Sequence, residues 1–297
     1  MKKQMLMVAL AFAMSAHVVT AQPEKAAAVQ TQASIVQLKP SVAQTQAALW
    51  ASRVLARYHY KAVPLDDAMS AKIYDAYFKA LDSEKLYFTQ ADIDSFAPAR
   101  TKLDDAINNE DLTIPFQIYN VYQQRFFDRM AYARELLKGK FDFTTDETLQ
   151  IDREKAAWAK NEDEAKDLWR RRVKNDWLRL KLAGKDEKGI RETLDKRYEG
   201  YQNRLKKLNN EDVFQMFMNA YAMAIEPHTN YLGPRSAENF DIAMRLSLDG
   251  IGAVLQSRED YTVIREVVPG GPADKSGKLK VGDRIVGVAQ GNGPFTD

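Results

Sequence analysis

LSLDGIGAVLQSREDYTVIREVVPGGPADKSGKLKVGDRIVGV, residues Leu246 to Val288, is the stretch whose reading decides the fold. Two runs of β-type alternation, Ile251 to Gln256 and Tyr261 to Val268, predict a hairpin. Its second strand would carry Tyr261, Val263 and Val267 on one face and Thr262, Ile264 and Val268 on the other. Pro269-Gly270-Gly271-Pro272 breaks that strand, since proline has no N–H to give to a ladder and glycine has no side chain to pack. Ala273 to Ser276 is long enough for one helical turn, and Gly277 can take the positive φ that ends it. Val281-Gly282-Asp283 reads as a turn into a further strand, Arg284 to Val288.

Working outward, 297 residues at 45% hydrophobic and 28% charged suffice for one large domain or two ordinary ones. Lys plus Arg at 43 against Asp plus Glu at 41 is too balanced to imply nucleic acid. The absence of cysteine excludes disulfides, thiol catalysis and thiolate metal sites, and leaves the redox compartment open. The first residues speak to the compartment instead. Lys2 and Lys3, the apolar run Met5 to Ala16, and Val19-Thr20-Ala21 predict an export signal over 1–21, cleaved after Ala21. That run is well short of the roughly 20 residues a bilayer requires. No other stretch is long and apolar enough to span, so the expectation is a periplasmic protein with no membrane span. Residues 22–40, rich in Ala, Gln, Ser and Thr, predict a disordered leader that buries too little surface to offset its ordering entropy.

From Ser41 the pattern becomes helical. Trp50, Val54 and Tyr58 share one expected buried face, and Pro64 separates that helix from a stripe of Leu65, Met69, Ile73, Tyr77 and Leu81. Asp82 to Phe88 (DSEKLYF) is a connection, and Thr89-x-x-Asp92 reads as a capping box. Pro115 opens the clearest helix, in which Phe116, Tyr119, Tyr122, Phe126, Met130 and Leu137 run up to a capping Gly139; their spacing assigns them to core packing. Thr145 to Ala183 predicts a long charged helix or helix pair, with Trp158, Trp169, Val173, Trp177 and Leu180 buried and Gly184 at its end. Leu194, Tyr198, Tyr201, Leu205 and Leu208 continue helical spacing, and Asn209-Asn210 precede a helix aligning Phe214, Met218, Tyr221 and Ile225.

Residues 151–210 carry 18 basic against 12 acidic side chains, and Arg170-Arg171-Arg172 sits among tryptophans. Interleaved Trp and Arg can track single-stranded nucleic acid. Opposite charges four apart, such as Asp167 with Arg171, instead predict a solvated helix face, and no nucleic-acid partner is expected. Pro227 and Pro234 bracket a loop whose His228 has no second histidine or paired carboxylate at ligand spacing, so it reads as a hydrogen-bonded structural histidine. No metal or cofactor is expected.

The blocks GIGA, VVPGGPADKSG and LKVGDRIVGV, in that order, resemble a circularly permuted bacterial PDZ domain. The resemblance implies that the loop Gly250, Ile251, Gly252 and Ala253 turns backbone N–H groups toward the terminal carboxylate of a partner, which then adds as a strand to the sheet edge. Glycine is expected there because a side chain would crowd the carboxylate. Ala253, where many PDZ domains carry a bulky aromatic, implies an open pocket for the last ligand side chain.

Together with LDSEKLYF and the PHTNYLGP junction, this start resembles the tail-specific, or C-terminal processing, peptidases of the bacterial periplasm. The implied fold is multidomain α plus β: an irregular all-α N-terminal domain over 41–240, then an incomplete, mainly β, permuted PDZ domain over 241–297. The implied activity is a serine endopeptidase, its serine activated by a lysine, that recognises the apolar C-termini of unfolded or target proteins; a periplasmic adaptor protein is a further possible partner. In that family both catalytic residues lie after the PDZ domain, so no catalytic residue is assigned in this chain, and Ser236, Ser247 and Ser257 have no claim to the role. The alternative is a short, non-catalytic peptide-binding or adaptor protein. The nucleotide sequence past codon 297 separates the two: an open frame supports the first and a stop codon the second.

Overall fold

The computed structural model describes residues 35–245, 250–258, 261–289 and 293. Residues 1–36 and 37–297 separate as two units, and the first lies almost wholly outside the described residues, as do the expected signal and most of the expected leader.

Helix α1 (Val42–Tyr58) begins at a capping box in which the Ser41 side chain accepts from the Gln44 N–H and the Gln44 side chain accepts from that of Ser41. Its orientation reverses the expectation. Trp50, Val54 and Tyr58 are 63%, 52% and 73% exposed, and the packed face is Gln44, Thr45, Ala48 and Ser52. That face is small and internally satisfied: Thr45 and Ser52 donate to Val42 and Leu49 carbonyls, and the Gln44 amide donates to Glu211 at 3.1 Å.

In α2 (Asp67–Leu81) the predicted stripe holds, with Met69, Ile73, Tyr77 and Leu81 buried. The connection after it is organised by Asp82, whose buried carboxylate accepts the N–H groups of Leu86, Tyr87 and Phe88 at 2.7, 2.8 and 3.1 Å. Thr89 and Asp92 form the predicted capping box of α3 (Gln90–Phe96), followed by a 3₁₀ turn (Ala97–Thr101) and α4 (Leu103–Asn108). Helix α5 (Thr113–Leu136) starts two residues before Pro115, which sits in the first turn where its missing N–H costs nothing, and it ends before Gly139.

The long helix expected over Thr145–Ala183 is only α6 (Glu162–Leu182). Residues ahead of it are drawn out by contacts made elsewhere. Glu147 pairs with Arg170 and Lys174, the Arg153 N–H donates to Glu84, and the Ala159 carbonyl accepts from the Gln90 N–H. Trp158 stacks edge-on to Phe88, and Asn161 caps α6. These tertiary contacts override a run of good helix formers. Helix α6 ends just before Gly184, as expected, and that glycine has φ +82°. Helices α7 (Glu187–Lys206) and α8 (Asn210–Ile225) follow, the latter capped by Asn209 and Asp212. Helix α9 (Pro234–Arg245), absent from the periodicity reading, has no buried residue.

Two apolar clusters result. One gathers Ile73, Tyr77, Leu103, Phe116, Phe214 and Phe217; the other gathers Met130, Trp169, Val173, Trp177, Leu194 and Tyr198. Helix α5 joins them, with Tyr122 packed against both.

After α9, β1 (Ala253–Arg258) and β2 (Tyr261–Val267) form the predicted antiparallel hairpin. A turn, α10 (Pro272–Ser276), ends at Gly277 with φ +62°, and β3 (Arg284–Ile285) pairs with Thr262 and Val263. The sheet order is β1-β2-β3. One detail departs from expectation. Val254 pairs with Glu266 but Leu255 pairs with Ile264, so Arg265 is an extra residue on β2. This bulge inverts the alternation beyond it: Val267, opposite Ala253, shares the face of Ile264, opposite Leu255, and not that of Val263. The chain is thus an α-helical domain followed by a small three-stranded antiparallel sheet, an α plus β architecture.

Candidate functional site

Gly250, Ile251, Gly252 and Ala253 lead from α9 into β1. The Ile251 carbonyl accepts from the Ala273 N–H of α10 at 2.8 Å, and the Gly252 carbonyl accepts from the Val268 N–H at 2.8 Å. All peptide bonds among the described residues are trans. In a trans peptide unit the C=O and the next N–H point to opposite sides. With both carbonyls turned inward, the Gly252 and Ala253 N–H groups are therefore turned away from α10 and β2. They form an oriented pair of donors of the kind that receives an anion.

The next element completes the arrangement. Strand β1 lies at the edge of the sheet, and alternation from Ala253 turns the backbone groups of Ala253, Leu255 and Ser257 to the unpaired side. Its side chains are open as well: Val254 and Leu255 are exposed, while Ile264 beneath the hairpin is fully buried.

The two glycines differ in what they do. Gly252 has φ +72°, and a Cβ there would lie 2.9 Å from Pro272 Cδ and 3.1 Å from Gly271 Cα, so the contact it makes possible is internal. A Cβ on Gly250 would meet nothing within 4 Å. The crowding expected from a carboxylate is thus joined at Gly252 by close packing of the loop on the Gly271-Pro272 turn. The sequence carried this signal in the PGGP block, which the hairpin reading used only as a strand breaker.

His228 Nδ1 donates to Glu226 Oε1 at 2.6 Å, and its side chain is otherwise solvent-exposed. The Glu226 carboxyl is held below its usual range, first by that hydrogen bond. Thr229 Oγ1 links Glu226 to His59 Nε2, at 3.3 and 2.8 Å. The junction is fastened beyond that, since the N–H groups of Tyr231 and Gly233 donate to Asn219 and Gln215 at 2.8 and 3.0 Å. Among the described residues no group of His, Asp and Glu is placed to hold a metal ion. Ser236 donates to Gln215, Ser257 lies on β1, and Ser247 is outside the described residues. In the basic region, Arg170 and Arg171 pair with Asp167 at 2.8 and 2.6 Å, so two of the three clustered arginines are engaged by carboxylates.

Residues 51–235 match the family model of the tail-specific protease N-terminal domain, and residues 240–294 match that of the PDZ domain. The chain belongs to the tail-specific proteases. The tail-specific protease of Haemophilus influenzae is 43% identical to it over 244 residues, which cover 82% of this chain and 35% of that protein. The chain thus spans about a third of the length of this tail-specific protease relative. The first match ends at residue 235 and the second begins at residue 240, both within α9.

Proposed function

We propose that this chain is the N-terminal part of a periplasmic endopeptidase that captures proteins by their free C-termini. Capture would occur at Gly250, Ile251, Gly252 and Ala253, with the arriving tail antiparallel to β1 and its carboxylate on the Gly252 and Ala253 N–H groups. The observation that carries this reading is the inward engagement of the Ile251 and Gly252 carbonyls next to an unpaired strand edge. Ala253 and Leu255 share the face of Ile264, so an apolar final side chain would lie on an apolar floor. In this reading residues 1–21 are the export signal, 241–297 begin the PDZ domain, and a serine activated by lysine acts from a later domain. An adaptor in the periplasm would be a second partner. Among the described residues no helix is long and apolar enough to cross a membrane.

The test compares binding of one apolar-ended peptide with a free or an amidated C-terminus. The free form should bind at least about tenfold more tightly, since a charge-assisted hydrogen bond contributes about 1.5–3 kcal/mol. Equal binding of the two forms would refute the carboxylate loop.

A further inference from the structure

We propose that the outer face of α1 is the seat of an acidic-rimmed helix from the part of the protease that lies outside the region matched here. This rests on the reading that the chain is the N-terminal part of a longer enzyme. Trp50, Val54 and Tyr58 stand at i, i+4 and i+8 and are all more than half exposed. Water alone gives no reason to keep three large apolar side chains in one row, and a contiguous exposed apolar ridge marks an interaction surface.

The ridge has the shape for a helix. It follows the i±4 row, runs about 12 Å at 1.5 Å per residue, and would interdigitate with the matching row of a partner helix. Gln46 ends the row, exposed Arg53 and Arg57 border it on one side, and Ala51 and Leu55, half-buried against the core, border it on the other.

Charge selects the partner. The Arg53 guanidinium lies over the Trp50 ring at 5.4 Å and that of Arg57 over the Tyr58 ring at 5.5 Å. Neither forms an ion pair with a described residue, and no acidic residue occurs between Glu24 and Asp66. Two copies of α1 packed together would bring four guanidiniums side by side with no carboxylate from either helix. A second copy is therefore a poor occupant, and a helix bordered by Asp and Glu a good one. The match covers 35% of the Haemophilus protease, which leaves about two-thirds of such a polypeptide to supply it.

Trp50 provides the assay. Trp169 and Trp177 are buried and Trp158 is half-buried, so the exposed tryptophan fluorescence belongs mainly to Trp50, as Trp50→Phe would verify. Acrylamide quenching is measured on this chain and on the same chain joined to the portion of the Haemophilus protease beyond its matched region. The joined protein should lose the quenchable component, and Arg53→Glu with Arg57→Glu should restore it. Persistence of that component in the joined protein overturns the proposal. So does a loss that needs only a raised concentration of this chain, which makes a second copy the occupant, or only vesicles containing phosphatidylglycerol, which makes it a membrane. If the joined protein cleaves free-ended tails while Trp50 stays quenchable, this inference falls and the proposed function stands. If Trp50 is covered but free and amidated tails behave alike, the reverse holds.

Discussion

Replacing Gly252 by alanine tests the candidate loop at its least forgiving point. The native φ of +72° costs a non-glycine residue about 1–2 kcal/mol. The added Cβ also meets Pro272 Cδ at 2.9 Å and Gly271 Cα at 3.1 Å, and such overpacking costs about 1–3 kcal/mol. Part of the second cost is relieved by movement of the turn, so the expected local loss is about 2–4 kcal/mol. Native-state hydrogen exchange reads it directly, because the Val268 and Ala273 amides report the bonds to the Gly252 and Ile251 carbonyls. At 1.4 kcal/mol per decade, both should exchange about 30- to 700-fold faster, with the amides of α5 and α8 unchanged. Gly250→Ala is the control: its Cβ meets nothing within 4 Å, so its effect on exchange should stay within about 0.5 kcal/mol, and it should weaken free-ended peptides selectively. Unchanged Val268 and Ala273 exchange in Gly252→Ala would refute the packing account of the loop.

Three further outcomes follow from the fold. Asp92 accepts two bonds from Arg125 at 2.9 and 2.7 Å and caps α3; burial alone would raise its pKa, but Arg125 and Thr89 hold it below the usual carboxylate range. Its stabilising effect is complete above the ordinary carboxylate pKa and is lost as pH falls through the lowered one. Asp92→Asn should therefore cost about 2–3 kcal/mol near neutrality and flatten the acid limb of stability against pH in denaturant titrations. Asn209→Ala removes the capping box of α8 and should cost about 1 kcal/mol by thermal melting. Ile264→Ala, at the buried centre of the hairpin, should cost about 2–4 kcal/mol in the exchange of β1 and β2 amides and leave the helical melt in place.

What was legible in the sequence, and what was not, follows from which interactions are local. The capping box at Thr89 and the positive φ of Gly277 are settled within four residues and appear where the sequence placed them, and Gly184 and Asn209 mark a helix end and a helix start as read, with a positive φ and a capping box that the reading did not specify. Core stripes in α2, α5 and α8 were also readable, because their large apolar residues recur at helical spacing. In α1 that logic misleads: the apolar row faces outward, and the docked face is built from Ala48 and hydroxyls that close on their own helix. The segment before α6 was misread because Glu147 and Trp158 find partners distant in the chain, at Arg170 and Phe88. The Arg265 bulge is invisible to a strict two-residue alternation, and only pairing with β1 exposes it. In the candidate site, the glycine positions were legible, whereas the direction of the Gly252 and Ala253 N–H groups required knowing that Ala273 and Val268 take the neighbouring carbonyls.

The fastening of the junction has a mechanical consequence. Anything that tugs on the loop at 250–253 pulls along α9 toward Gly233 and Tyr231, whose amides are tied to side chains of α8. Tension would reach the helical scaffold through these short anchors, at a point where a Cβ on Gly233 would stand 2.8 Å from Glu211 Oε1 and 2.9 Å from Gln215 Oε1, flexible side-chain ends that would turn aside to admit it.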